Sequence, residues 1–370
     1  MSDLQNLSVY VATREQIVEL RKRSYTRWGK GYLTMEEYLA LLDAWDGTES
    51  STDGKLIIWV LAPRNDPETL DFLCGCQSYR RDGRYFDGEL RSVACYNVGF
   101  VFTPEEKRQK GYAKHMLRLL HWVLADERFL KDFPEKWGAP PKRVPSAGRG
   151  YFSALYSVIG TEFYKSCGDT LSSSGWVAKD AWSTIWEVEG AAGHASRPTS
   201  DWRLLDDKEV ADVWEQDVPL MERDLVELGR SLRKPVACFL PNQGTAAFQL
   251  DRVRFSPPYR PFLVESWGIV LTIDGLNYAT WTVDVRPPAT KSLLFTRLRA
   301  HSTAHFKDLM GAVLWFAKEN CFTKVEAWNL PPSLVIAAQE VSGVTTARDT
   351  NFPSFKAYAE DDVEWVFNEK

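Results

Sequence analysis

The chain has 370 residues, a mass of 42.2 kDa and 44% hydrophobic residues, which exclude a largely disordered or collagen-like protein and fit two domains of ordinary size. Its net charge of −5 and pI near 5.7 argue against a nucleic-acid partner. No apolar run reaches the ~18 residues of a membrane span, and the first residues do not resemble a secretory signal, so we expect a soluble, cytoplasmic protein with no membrane partner.

Strands and helices alternate along the first half of the chain. Thr13 and Thr34 are N-cap candidates for two early helices, because a threonine hydroxyl can accept a hydrogen bond from a free N–H of the first turn. The predicted elements are a strand at 7–12, helices at 14–27 and 34–42, strands at 56–62, 72–79 and 92–102, and helices at 111–129 and 154–167.

The segment 190–200 is small, polar and without apolar periodicity, which is typical of a linker. It divides the chain into predicted domains 1–189 and 201–370. The second half is predicted to hold a helix at 206–233, strands at 238–240, 246–250, 262–271 and 278–285, a helix at 303–319, a strand at 324–328 and a helix at 334–340. This order of elements repeats that of the first half and suggests an internal repeat.

Six cysteines are scattered through the chain, and Cys74 and Cys76 form the only close pair. A spacing of two puts both thiols on one face of a strand, and no second pair completes a zinc site. We expect a reduced, structural pair and no metal. A redox protein is disfavoured, since the Cys-x-x-Cys spacing is missing.

The segment Arg108-x-x-Gly111-x-Ala113 lies between a predicted strand and an amphipathic helix. Helix-start N–H groups lack intrahelical partners and favour anions, and Gly111 allows close approach to the backbone. The segment therefore predicts a pyrophosphate cradle, with Arg108 and Lys110 adding positive charge. It matches neither a P-loop nor the dinucleotide fingerprint, and an ordinary surface turn is the alternative.

This segment resembles motif A of the GNAT superfamily of acyl-CoA N-acyltransferases, and the Tyr164-x-x-x-Gly168 that follows resembles a second GNAT motif. Further segments, such as Trp28-Gly and 324–329, resemble the fungal lysine N6-acetyltransferases that acetylate free lysine in lysine catabolism. The resemblance implies an α/β fold with mixed sheets: a GNAT domain at 1–189 and a degenerate GNAT-like lobe that closes the acceptor pocket. One departure is that the family continues directly with Gly-Trp or Gly-Phe, whereas here Gly175-Trp176 comes later.

The resemblance also implies acetyl-CoA as co-substrate and a set of residues that hold it. The backbone of a strand end would pair with the pantetheine arm, one N–H would polarise the thioester carbonyl, and the loop would hold the pyrophosphate. A serine stands where many GNAT proteins place an asparagine. These cofactor-binding residues are Val101, Phe102, Thr103, Arg108, Gln109, Lys110, Gly111, Tyr112, Ala113 and Ser157.

Tyr164 is the catalytic candidate, as the acid that protonates the leaving thiolate, with a core tyrosine as the alternative. Glu89, with Asp87 beside it, is the candidate base, although both also suit an exposed turn. We expect the two histidines of the following helix, His115 and His121, to be surface or packing residues rather than bases. Two further basic residues, Arg297 and Arg299, could bind the carboxylate of an amino-acid acceptor or could form a solvated face.

The favoured function is therefore acetyl transfer to a small-molecule amine, most simply the ε-amine of free L-lysine. Other small amines or a protein lysine remain alternative acceptors. A protein that binds acyl-CoA without catalysis is an alternative from another class, and either a monomer or a homodimer is compatible with the sequence.

Overall fold

The computed structural model describes residues 4–199, 201–262, 264–271, 275–284 and 291–368. The helices are α1 (Arg14–Trp28), α2 (Met35–Asp46), α3 (Tyr112–Leu124), α4 (Glu162–Lys165), α5 (Asp207–Leu232), α6 (Ala247–Arg254), α7 (Thr303–Glu319) and α8 (Pro332–Glu340). The strands are β1 (Leu7–Val11), β2 (Leu56–Pro63), β3 (Cys74–Phe86), β4 (Leu90–Phe102), β5 (Gly150–Ser157), β6 (Val177–Ala178), β7 (Trp182–Glu187), β8 (Trp202–Leu205), β9 (Val236–Phe239), β10 (Gly268–Leu271), β11 (Asn277–Asp284), β12 (Ser292–Arg299), β13 (Lys324–Trp328), β14 (Val344–Ala347), β15 (Phe352–Ala357) and β16 (Glu364–Trp365).

Local sequence signals fix several of these elements. Thr13 and Thr34 each cap a helix through a capping box, as predicted. The helix predicted at 303–319 is α7, and the strand predicted at 324–328 is β13. Of the predicted second-half segments, positions 200, 263 and 285 lie outside the described residues.

Two predicted elements are wrong. The segment 154–167 was expected to be a helix, but its first part belongs to strand β5 and only α4 is helical. β5 is paired on both sides, by β4 and β15, and a short apolar run of this kind has no periodicity that separates a strand from a helix. The segment 246–250 was expected to be a strand and instead opens α6.

The first sheet has the strand order β1-β2-β3-β4-β5-β15-β6, and β9 and β16 extend it from β3. Among the described strands of this sheet, β4 with β5 and β9 with β16 pair in parallel, and the other pairs are antiparallel. The crossover from β4 to β5 contains α3, whose apolar face packs on a core that includes Trp59, Tyr96 and Leu120. This β4-α3-β5 unit positions the candidate site.

The second sheet has the order β14-β7-β13-β12-β11-β10-β8. Its β12 and β13 are parallel and connected through α7, while β11 and β12 are antiparallel with a register shift at Thr280/Trp281. The first sheet shows the same arrangement, with a register shift between β3 and β4. The two sheets thus share the β-α-β unit that the internal repeat implied.

The chain divides into two compact units that differ from the predicted boundaries at 189 and 201. The first unit comprises 1–179, 225–240 and 350–366, and the second comprises 180–224, 241–349 and 367–370. Chain segments from the second half therefore complete the first sheet, namely β9, β15 and β16.

All six cysteines are free thiols. Cys74 and Cys76 lie buried on β3, and burial raises the pKa of both thiols, which disfavours redox chemistry there. Across the described ranges, every helix is too short or too polar to cross a membrane. In the same ranges, no three His, Cys, Asp or Glu side chains come together as a metal site would require.

Candidate active site

Strands β4 and β5 separate before β4 ends. Their pairing stops at Asn97↔Ala154, whereas β4 continues to Phe102. On the other side, Gln77 pairs with Gly99 and Gly75 pairs with Phe102, so two residues of β4 oppose the single Cys76. From position 98 onward, the edge of β4 that faces β5 has no strand partner among the described residues. This edge includes the predicted Val101 and Phe102, and it could pair with an extended, peptide-like ligand.

The loop after β4 leads directly into α3, as the motif required. Gly111 is the N-cap of α3 with a φ of +82°, and Gln109 has a φ of +61°. The first helical hydrogen bond runs from the His115 N–H to the Gly111 carbonyl. The N–H groups of Tyr112 and Ala113 therefore point away from the helix start without intrahelical acceptors. Gln109 adopts the left-handed region that is costly for a side-chain-bearing residue, a type of strain that clusters at ligand sites.

The basic side chains of this loop are partly used to hold its shape. Arg108 Nε donates to the Thr103 carbonyl over 3.1 Å, and Lys110 Nζ donates to the Glu106 carbonyl over 3.0 Å. Both side chains are exposed, and Lys114 lies in the first turn of the helix. The loop can therefore present positive charge and free N–H groups to one anion.

Tyr164 lies on the short helix α4 and packs on the same core as Val101 and Tyr112. Burial, with the neighbouring thiols of Cys167 and Cys76 as smaller contributions, raises the pKa of Tyr164 above its ordinary value of about 10. Within the part of the chain that the structure describes, its hydroxyl has no hydrogen-bond partner. Tyr164 is thus a largely buried, neutral phenol that packs on the same core as the end of β4 and the start of α3.

The residues between Gly168 and Trp176, which depart from the family pattern, form a loop whose end is hydrogen-bonded to the residues just before its start. The N–H of Trp176 donates to the Tyr164 carbonyl over 3.2 Å, and the N–H of Gly175 donates to the Lys165 carbonyl over 2.8 Å. Buried Asp169 holds the loop through an ion pair of 3.2 Å to Lys356. The loop therefore brings Gly175-Trp176 back beside Tyr164. In the family pattern, the Gly-Trp pair follows the tyrosine motif directly, without such a loop.

Ser157 ends strand β5, but its hydroxyl is already used locally. It donates to the Gly160 carbonyl over 2.5 Å and accepts from the Ile159 N–H over 3.3 Å. The side chain is buried in this turn. The contact of Ser157 with the cofactor stays a prediction. The role that its hydrogen bonds show directly is to stabilise this turn.

Glu89 does not lie near the other candidates, so the structure gives no support to its predicted role as base. It sits in the turn between β3 and β4, paired with Arg91 at 2.9 Å, with 74% of its side chain exposed. Asp87 pairs with the same arginine. Since an extended strand rises about 3.4 Å per residue, roughly 35 Å of β4 separate this turn from Val101.

His115 and His121 are buried, as their predicted packing role requires. His121 Nε2 donates to the Cys167 carbonyl over 2.8 Å, and its Nδ1 lies 3.1 Å from the Tyr358 hydroxyl. Burial lowers the pKa of each histidine to about 4. His121 also stacks on Trp176, with ring centroids 4.2 Å apart, and so supports the return of the loop to Tyr164.

Arg297 and Arg299 lie on β12 and are buried rather than solvated. Arg297 Nε donates to Asp217 Oδ2 over 2.8 Å, Arg299 Nε donates to the other oxygen, and Tyr278 OH donates to Oδ2 over 2.7 Å. Burial alone would raise the pKa of Asp217, but the two arginines hold it below its ordinary value. These arginines therefore already have a carboxylate, and their predicted role toward a substrate gains no support.

Sequence reasoning missed one group of residues beside the bulge of β4. Helix α1 presents Arg21, Ser24 and Trp28 to a small, shallow cleft that Phe100 and Phe102 also line. The available signal was an arginine within the apolar stripe of α1, at positions 17, 20, 21, 24 and 28, a spacing that shares one helix face. Trp28 had been used only as a mark of kinship.

Comparisons with known proteins agree with this architecture. A family model described as the LYC1 GNAT-like C-terminal domain matches residues 188–370. A curated lysine acetyltransferase of Yarrowia lipolytica (strain CLIB 122 / E 150) is 24% identical over 184 residues, which are 49% of this chain and 43% of that relative. The match thus spans less than half the length of the curated relative.

Two solved structures are similar over 95% of this chain and 72% of their own chains. One is a GCN5-related N-acetyltransferase from Kribbella flavida, with a TM-score of 0.55 and 14% identity. The other is a conserved protein from Enterococcus faecalis V583, described as a probable N-acyltransferase, with a TM-score of 0.56 and 8% identity. The resemblance to the GNAT superfamily is therefore confirmed: the chain has the fold of the GCN5-related N-acetyltransferases, and its residues 188–370 are similar to the LYC1 GNAT-like C-terminal domain.

Proposed function

We propose that this protein transfers an acetyl group from acetyl-CoA to a primary amine, with the ε-amine of free L-lysine as the favoured acceptor. The observation that carries the proposal is the edge of β4 beyond Asn97, which has no strand partner among the described residues and whose Val101 packs on the same core as Tyr112 at the start of α3 and Tyr164. The distant similarity to a lysine acetyltransferase supports the choice of lysine.

In this proposal the pantetheine arm pairs with the edge of β4 at Val101–Thr103. The pyrophosphate binds the N–H groups at Gln109–Ala113, where the helix start and basic side chains favour an anion. A backbone N–H at the bulge polarises the thioester carbonyl.

The reaction needs two proton movements. The neutral amine attacks the thioester carbon, the C–S bond breaks, and the thiolate takes the proton of the Tyr164 hydroxyl. A buried phenol stays protonated at neutral pH, and the same burial that raises the pKa of Tyr164 also raises that of an adjacent thiolate. The proton of the attacking nitrogen passes to water, since Glu89 lies far along β4 and both histidines are buried with a pKa of about 4. A proton from water then returns to the Tyr164 phenolate and restores the acid for the next turnover.

The test is a thiol-release assay with acetyl-CoA and a panel of L-lysine, D-lysine, ornithine, spermidine and a histone peptide. Tyr164→Phe should lower kcat at least about tenfold and leave acetyl-CoA binding intact. Tyr85→Phe is the matched control, because the buried Tyr85 hydroxyl has no hydrogen-bond partner in the described residues and lies near the far end of β3.

The results of this assay distinguish between the possible functions. Turnover confined to L-lysine supports the full proposal, whereas turnover of other amines keeps the chemistry and overturns the acceptor. Acetyl-CoA binding without turnover of any amine overturns the catalytic proposal in favour of an acyl-CoA-binding protein.

A further inference from the structure

Four buried side chains form a chain of hydrogen bonds around the loop between α4 and β6. Trp176 Nε1 donates to Ser153 Oγ over 2.9 Å. The Tyr358 hydroxyl lies 2.8 Å from that oxygen and 3.1 Å from His121 Nδ1. His121 Nε2 donates to the Cys167 carbonyl over 2.8 Å. Because Cys167 precedes the loop and Trp176 follows it, the chain connects the two ends of the loop.

The groups at the two ends set the direction of every hydrogen bond in this chain. The Cys167 carbonyl can only accept, so His121 Nε2 carries the ring proton. Burial lowers the pKa of His121 to about 4, so the ring is neutral at pH 7 and its Nδ1 is an acceptor. The Tyr358 hydroxyl therefore donates to Nδ1 and accepts from Ser153, whose oxygen accepts from Trp176. Each proton is used once, and neither hydroxyl can turn away without the loss of a hydrogen bond.

The two residues that end the chain also bind the backbone of Tyr164. The N–H of Cys167 donates to the Tyr164 carbonyl over 3.1 Å, and the N–H of Trp176 donates to the same oxygen over 3.2 Å. The ring of Trp176 also meets that of Tyr164 edge-on, with centroids 6.4 Å apart. A displacement within the side-chain chain is therefore passed to Tyr164 from both ends of the loop.

We propose that Tyr358 and His121 are positioning residues for Tyr164, an inference that rests on the acid role proposed above for that tyrosine. The Tyr358 hydroxyl holds Ser153 and His121, these two hold the ends of the loop, and the ends hold the Tyr164 carbonyl. Tyr358 follows β15 directly, so a segment from the far end of the chain sets the position of the acid. Both positioning residues act through Tyr164, and their loss should therefore change kcat rather than acetyl-CoA binding.

The first test is Tyr358→Phe, which keeps the ring and removes the hydroxyl. We expect kcat for acetyl transfer to fall at least about tenfold while the KM for acetyl-CoA stays unchanged, because a small displacement of a reacting group is costly. Tyr96→Phe is the matched control, since the buried Tyr96 hydroxyl donates to the Gly148 carbonyl over 2.8 Å rather than to a member of the chain. Equal kcat values in the two variants overturn the proposal.

Amide hydrogen exchange tests the same connection without turnover. In Tyr358→Phe the N–H groups of Cys167 and Trp176 should exchange at least about tenfold faster, since buried polar groups lose their partner and the loop opens locally. The N–H groups of β3 should keep their wild-type rates. A general loosening of the core would accelerate β3 as well and would contradict a positioning role.

This measurement separates the proposal from the transfer function. If no amine accepts acetyl, the transfer function fails, and faster exchange confined to Cys167 and Trp176 still shows that Tyr358 controls the surroundings of Tyr164. Unchanged exchange at these two N–H groups overturns the proposal whether or not the protein transfers acetyl.

Two measurements replace Tyr358→Phe if that variant does not fold. Ser153→Ala removes the hydroxyl between Trp176 and Tyr358 with little change in volume, and it should have the same effects on kcat and on exchange. In wild type, nitrogen NMR of histidine-labelled protein should show His121 as the neutral form with its proton on Nε2 at pH 7. A charged ring, or a proton on Nδ1, would leave the Tyr358 hydroxyl without its acceptor and would overturn the proposal.

Discussion

The backbone N–H of Trp176 donates to the carbonyl of Tyr164 over 3.2 Å, although the loop 168–175 lies between them. Gly175 makes this approach possible, because a Cβ at that position would lie 2.4 Å from the Tyr164 oxygen. This loop is therefore an insertion relative to the GNAT pattern. The position of Tyr164 depends on Gly175, the residue of the loop that approaches it.

Gly175→Ala should displace Tyr164, since a backbone oxygen cannot move aside as a side chain can. We expect acetyl transfer to fall at least about tenfold, because a misplacement near 1 Å at a reacting group has effects of this size. The free energy of unfolding should fall by about 1–3 kcal/mol. Gly193→Ala is the control, because a Cβ there has nothing within 4 Å. Equal activity of the two variants would contradict the role of Gly175.

The turn from β4 into α3, with Gly111 as its N-cap, could be predicted because its residues are close in sequence and form a recognised pattern. β5 could not, because its second partner β15 comes almost two hundred positions later. The pairing of Arg297 with Asp217 is equally remote along the chain. The spacing of residues along the sequence indicates which side chains share a face of one helix or strand. It does not indicate which strand or carboxylate from a distant part of the chain will pair with that face.

Gly111 and Gly88 provide a matched pair for the cradle. Both have positive φ, +82° and +108°, and a Cβ at either would meet no close atom. Alanine at either position should therefore cost about 1–2 kcal/mol of stability through the backbone alone. Only Gly111→Ala should also weaken acetyl-CoA binding, since Gly88 lies in the turn between β3 and β4. Chemical unfolding and calorimetry measure the two effects, and unchanged acetyl-CoA affinity in Gly111→Ala would refute the cradle.

His121 should make the protein sensitive to acid. Its pKa is lowered by burial from 6.5 to about 4, so the unfolded chain binds a proton in this interval that the folded chain does not. Stability is complete above pH 6.5 and falls as the pH drops toward 4, by on the order of 3 kcal/mol.

Urea unfolding at several pH values measures this effect. His121→Asn should flatten the dependence between pH 6.5 and 4, while the same change at the exposed His194 should leave it as in wild type. Parallel curves for wild type and His121→Asn would show that another group is responsible. His115 contributes in the same direction, so some dependence should persist in His121→Asn.

Asp217 should be important for the stability of the second unit rather than for substrate binding. It is fully buried and accepts hydrogen bonds from Arg297, Arg299 and Tyr278. Asp217→Asn leaves two buried guanidinium groups without their shared carboxylate, and the free energy of unfolding should fall by about 3–5 kcal/mol. Asp224→Asn is the control, because Asp224 binds only one of the two buried arginines, its other ion pair is to the exposed Arg223 at 3.9 Å, and its side chain is 27% exposed, so its loss should be near 1 kcal/mol.

The pH dependence gives a second measure of the same cluster. Because the folded pKa of Asp217 lies below 3.8, its contribution is present above that pH and is lost as the pH falls through the lowered value. Wild type should therefore lose stability in this acid range more steeply than Asp217→Asn. If Asp217→Asn unfolds no more easily than Asp224→Asn at pH 7, the arginines of β12 do not depend on Asp217, and their availability to a substrate carboxylate must be reconsidered.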